Sequence, residues 1–295
     1  MKLIRPLLAA LFGLILSACN GTGDQQPLKI VTNSWIGYAP LYYVREKGQL
    51  DALDIKLVTV VSLGESLQLY RSGVADAFTG TQYEFSQAYS RDPSLTPIIL
   101  FDRSNGGDLV MGNRSIEELK GYSGPVDAYL EVDSVNSLIL KDFLASNTLQ
   151  GLDINYINQD QARISTLRAE RQKKPTLVVT YFPYNQVLQQ QGFRELASTR
   201  NNPKLLVVDA LYTAQPILSS HRPQLQQLKQ RIDEAIEVSR RDPKAFYEVV
   251  AEFLDNPGYD AFEQGLEDIV WINRERDPTL EKRLREADFP TGDLL

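Results

Sequence analysis

Six short segments gather the side chains that could do chemistry: "SWIGY" (34–38), "SLGES" (62–66), "TGTQYE" (79–84), "DRSNGGD" (102–108), "EVDS" (131–134) and "TYFPY" (180–184). Together they carry Glu65, Glu84, Asp102, Asp108, Glu131 and Asp133, against the single cation Arg103. Carboxylates withdrawn from water need partners. The set therefore suits a small solute with an amine or other cationic nitrogen, stacked on Trp35 or Tyr38. A pure anion such as sulfate or nitrate matches it poorly, although a zwitterion could set its anionic end against Arg103 or a helix N-terminus. The hydroxyls of Ser62, Thr81, Ser104, Ser134, Thr180 and Tyr184 would add the adaptable hydrogen bonds that small-molecule sites use.

Each residue also has a plainer reading. Trp35 and Tyr38 either wall a pocket or pack their loop against the helix that Pro40 begins. Glu65 and Glu84 are either ligand contacts or acids favoured near helix N-termini by the macrodipole. Asp102 and Asp108 flank glycines, as turn formers do, and Ser134 stands where an N-cap belongs. Tyr181 and Phe182 divide between pocket and core. Catalysis has less support, because the sequence contains no nucleophile elbow, histidine-based triad or metal-ligand spacing. Cys19 and His221 are the chain's one cysteine and one histidine. No metal, cofactor or enzymatic activity is expected, and His221, in "SSHRP", reads as a surface loop residue.

The elements that must hold these segments alternate in type. Strands are expected at "LKIVT" (28–32), "DIKLVTVV" (54–61), "ADAF" (75–78) and "PIILF" (97–101), with helices between them. After Gly112 the alternation restarts, with strands at "PVDAYLEV", "LDINYIN", "TLVVTYF" and "KLLVVDAL" (204–211). Such alternation indicates α/β layers built on mainly parallel sheets, and ligands of such sheets sit beyond the strands' carboxyl ends. Three amphipathic helices close the chain: one with Leu225, Leu228, Ile232 and Ile236 on a stripe, one capped by Asp242, and one over about 259–272. Two α/β sets followed by a helical tail suggest two lobes around a cleft, the tail returning to the first.

The first residues are a separate object. Lys2 and Arg5 precede the apolar run "PLLAALFGLIL" (6–16), which ends in "LSAC" at Cys19. The run is too short to span a bilayer and has the form of an export signal. "LSAC" resembles the bacterial lipobox, which implies a signal peptide over 1–18, lipidation of Cys19 and a flexible tether over 19–27. The net charge of −7 argues against nucleic acid as a partner.

"SWIGYAPLYYVREKGQL", "SLGESLQLYRSGVADA", "DRSNGGD", "SIEELKG", "EVDSVNSLIL", "VVTYFPY" and "VVDALYT" follow one another in an order that resembles substrate-binding proteins of ABC importers, of the nitrate/sulfonate/taurine and thiamine-pyrimidine type. The resemblance implies a type II periplasmic-binding-protein fold, with lobe one over 28–111 and 206–295 and lobe two inserted over 112–205. It implies a protein that closes on a solute and presents it to an ABC permease; the acids above make that solute a small nitrogen-containing organic one, and a monomer held in the periplasm or at the cell surface by its lipid is expected. Two alternatives remain open: signalling to a membrane receptor, and binding of an anion such as a sulfonate.

Overall fold

The structure, a computed structural model, describes residues 26–202, 204–272, 274 and 276–295. The export segment and Cys19 lie outside the described residues. The strands are β1 (Leu28–Thr32), β2 (Ile55–Thr59), β3 (Ala77–Thr81), β4 (Leu95–Ser104), β5 (Asp108–Gly112), β6 (Pro125–Leu130), β7 (Asp153–Asn158), β8 (Thr176–Tyr181), β9 (Arg194–Ser198), β10 (Val208–Ala214) and β11 (Ile269–Trp271). They form two mixed sheets, ordered β11-β4-β10-β3-β1-β2 and β7-β6-β8-β5-β9.

In the first sheet β1 runs parallel to β2 and β3, and β10 enters antiparallel between β3 and β4. In the second, β6 runs parallel to β7 and β8, while β5 is antiparallel to both β8 and β9. The second sheet therefore begins at Asp108, earlier than the expected restart after Gly112. β5 and β9 are strands that alternation of apolar runs did not mark. Asp102 and Asp108 sit in strands, as does Ser104, which sets aside the reading of the two acids as turn formers.

The helices match the sequence pattern closely where that pattern is amphipathic. Ala39–Glu46 opens with Pro40 in its first turn, and the helix Gln215–Arg241 buries Leu225, Leu228, Ile232 and Ile236. These two helices pack together, and Pro243–Val250 packs on both, so the tail returns to the sheet of β1–β4. His221 corrects the loop expectation. It lies inside the helix Gln215–Arg241, half-buried, its Nδ1 3.2 Å from the Ile217 carbonyl. The helix expected over 259–272 ends at Glu267, and its last residues form β11 instead.

Asp242 accepts the Ala245 amide at 3.0 Å and caps the helix Pro243–Val250. Asp242→Ala should lower stability by about 1 kcal/mol, read as a lower midpoint in urea with an unchanged slope.

Candidate functional site

Strand register places acids along the carboxyl end of each sheet. On β10, Asp209 lies opposite Thr81 of β3 and Asp102 of β4. On the second sheet, Asp108 lies opposite Tyr181, and Glu131 follows directly after β6. The two ends face each other. Trp35 meets Tyr181 edge-on with ring centroids 5.9 Å apart, and Glu84 of the first lobe accepts the Val135 amide of the second at 2.9 Å.

Local structure explains how each side chain is aimed. The loop after β1 is pinned from behind, because the Tyr42 hydroxyl donates to the Asn33 carbonyl at 2.9 Å while its ring stacks on Phe253. This turns Trp35 into the cleft, where Nε1 donates to Asp102 Oδ2 at 3.3 Å. Tyr38 points the other way. It is fully buried, edge-on to Phe101, and its hydroxyl donates to Asp209. Tyr38 is thus a core residue that holds a carboxylate, not an open stacking wall.

Thr81 caps the helix Gln82–Tyr89 and forms a capping box with Glu84, whose Oε2 accepts the Thr81 amide at 2.9 Å. The helix-acid reading of Glu84 holds, and its other oxygen crosses to lobe two by accepting the Val135 amide. Ser134 caps the helix Val135–Ser146 and donates to the Glu131 carbonyl at 2.8 Å. Ser104 bonds Thr199 at 2.8 Å and accepts the Asp108 amide at 3.1 Å, which ties β4 to β5 where the chain passes between lobes. Tyr184 donates to Asp255 at 2.6 Å and lies 3.4 Å from Ser34, so a residue of the tail reaches the cleft. Ser62 and Glu65 stand at the cleft mouth. Ser62 caps the helix Leu63–Arg71 and the exposed Glu65 accepts the Val61 amide, so both serve the helix N-terminus. They also line a cavity of about 430 Å³ together with Glu131, Asp133 and Asp160.

Five of these acids, Glu84, Asp102, Asp108, Glu131 and Asp209, are almost wholly withdrawn from solvent. None takes part in an ion pair among the described residues. Burial raises the pKa of every one. Asp108 is pushed up to about 6, and Glu131 to about 8 against the pull of the Gln161 amide and the Tyr181 hydroxyl. Asp102 and Asp209 are raised well above the carboxylate range by burial, with neighbouring carboxylates adding to it. Among the described residues, Asp102 Oδ1, both Glu131 oxygens, Thr180 Oγ1 and the Tyr181 hydroxyl make no hydrogen bond of ordinary geometry, although the Gln161 amide and the Tyr181 hydroxyl stand close enough to Glu131 to act on its charge. Buried polar atoms are nearly always satisfied; other unsatisfied ones, such as those of Ser66, Tyr212 and Ser239, occur elsewhere, but these five gather at the facing sheet ends.

Trp35 is only 4 % exposed, so its removal touches the core as well as the site. Trp35→Phe should keep most of the ring, leave both Asp102 oxygens without a donor and cost about 1–3 kcal/mol of stability, measurable by denaturant unfolding.

Asp209 and Asp255 were not singled out from the sequence. Asp209 had a usable signal, an acid inside the apolar run "LLVVDAL", whereas Asp255 had none.

No protein-family model and no curated protein matches the chain by sequence. Solved structures do match it in fold. The ligand-binding component of an ABC-type import system from Staphylococcus aureus, with zinc bound, superposes with a TM-score of 0.71 at 13% identity, covering 90% of this chain and 92% of that one. The alkanesulfonate-binding protein SsuA from Xanthomonas axonopodis pv. citri, bound to MOPS, gives 0.69 at 15% identity over 90% and 92%. The periplasmic nitrate-binding protein NrtA from Synechocystis PCC 6803 gives 0.61 at 13% over 81% and 69%. With two α/β sheets joined at β4–β5 and β9–β10 and acids at their facing ends, the chain has the two-lobed periplasmic-binding-protein fold.

Proposed function

We propose that the protein is the extracytoplasmic solute-binding component of an ABC importer. It closes its two lobes on a small organic solute carrying a cationic nitrogen and presents that solute to a permease without altering it. The observation that carries this reading is the set of five buried carboxylates at the facing sheet ends, without a cationic side chain paired to any of them among the described residues. A cation bound there lets those groups ionise, which burial alone opposes.

Among the described residues, no three His, Cys, Asp or Glu side chains are placed to hold one metal ion. That favours an organic cation, whose several N–H donors can reach separate acceptors. The fold neighbours include binding components of import systems, which supports the permease as recipient. Lipidation of Cys19, removal of residues 1–18 and anchoring through the tether complete the proposal and rest on the "LSAC" motif. Among the described residues no helix is long and apolar enough to cross a membrane.

Mass spectrometry of small molecules released from the denatured, freshly purified protein tests the reading. An intact amine or other organic cation is the expected result. A sulfonate or another pure anion in its place overturns the solute class, and a chemically converted product overturns the non-enzymatic role.

A further inference from the structure

Two of the buried carboxylates that lack partners belong to different lobes, and they mark two separate centres. The inner centre is Asp102, on β4 of lobe one, with Asp108 beside it at the start of β5. Asp102 Oδ2 takes the Trp35 indole, and Oδ1 is unpartnered although the residue is wholly buried. The outer centre is Glu131 of lobe two, 6 % exposed, with neither oxygen partnered and its side chain lining the mouth cavity.

Strand order sets their separation. β6, which ends just before Glu131, and β5, which begins with Asp108, are separated by β8 alone. Two inter-strand steps amount to about 10 Å. Tyr181, at the end of β8, lies between the centres. It is opposite Asp108 in register, its hydroxyl is unpartnered, and its ring meets Trp35. Charge effects link the two centres as well as separating them: Asp102 is influenced by Asp108 and Glu131 by Asp160, while Glu84 acts on both Asp108 and Glu131, and Tyr181 feels both Glu131 and Asp108.

We infer that the solute is dicationic: a short α,ω-diamine with one ammonium at Asp102 and Asp108, the other at Glu131, and its alkyl chain along Trp35 and Tyr181. This deepens the proposed function and rests on its cation reading. A monoamine would satisfy one lobe and leave the other's carboxylate buried without a partner, which is the costly outcome. A diamine bonds both lobes at once, and that is what draws them together. The aromatic step between the centres gives the methylene chain apolar surface and gives each ammonium a ring face.

Titration calorimetry of the purified full-length chain with putrescine and with butylamine separates the possibilities. Putrescine should bind at least about tenfold more tightly, the scale of one charged hydrogen bond. In Glu131→Gln the gap should close, because glutamine keeps the shape of the protonated carboxyl and can accept an N–H but carries no charge to pair with an ammonium. A melting curve on that variant confirms folding. Putrescine binding no more tightly than butylamine, or not at all, overturns the inference, as does a gap that persists in Glu131→Gln. Equal binding of the two amines overturns the diamine and leaves the cation reading standing. Binding of an alkanesulfonate with neither amine bound overturns both.

Discussion

Gly37→Ala should abolish tight solute binding and destabilise the fold together. A Cβ built on Gly37 falls 1.8 Å from Asp102 Oδ2 and 2.4 Å from Trp35 Nε1. Neither group can yield cheaply. Asp102 is wholly buried in β4, and Trp35 is wedged between Tyr181 and the segment at Gly107. Pushing the carboxylate away breaks the indole bond and displaces the inner acid centre, while the extra methyl overpacks a closed core. The expected cost is about 1–3 kcal/mol of stability, and about tenfold or more in affinity for an organic cation, since one charged hydrogen bond is worth that much. Urea unfolding and calorimetry on one preparation check both numbers. Wild-type affinity in the folded variant would show that Asp102 and Trp35 do not meet the solute.

The second large effect is on pH. Glu131 titrates at about 8 and Asp108 at about 6 in the free protein, both held up chiefly by burial. A cationic solute selects their ionised forms, so binding near neutral pH releases protons. Affinity should therefore rise with pH through the range from about 6 to about 8 by up to about tenfold per unit for each carboxyl that must ionise. A purely anionic solute gives the opposite slope. Calorimetry in two buffers of different ionisation enthalpy reads the released protons directly.

The stability of the free protein moves the other way. Each of these groups has its folded pKa raised above an unfolded value of about 4. Its contribution is fully present below that value and is lost as pH rises through the folded one. The ligand-free melting temperature should consequently fall between about pH 5 and pH 8, and added solute should flatten the decline.

The pieces legible in the sequence are those whose signal is local. Short apolar runs marked β1, β6 and β8 closely: β1 and β8 are buried almost throughout, and β6 alternates between buried and partly exposed residues. β5 and β9 escaped for physical reasons. "DLVMG" follows two glycines that read as loop, and "RELAS" is an edge strand with two exposed charges. β11 pairs for three residues, and only because β4 is there to receive it. Apart from Asp209, the buried acids at the strand ends could be named from sequence, but their division into two centres could not. That division depends on register between strands far apart in the chain. The Trp35 indole bonds Asp102, 67 positions away, and Tyr38 bonds Asp209, 171 positions away. Such separations leave no trace in local spacing.

The placement of β10 bears on how the molecule comes to exist. β3 and β4 are not bonded to each other, and β10 alone joins them. The second sheet draws all its strands from one unbroken stretch, Asp108 to Ser198, whereas the first stays divided until that whole stretch has been passed. Long-range closure of this kind is slow because the loop entropy is lost before the contacts form. The second lobe is therefore the early-folding unit and the first lobe the late one. In pulsed hydrogen exchange during refolding, amides of β6 and β8 should gain protection before those of β4 and β10.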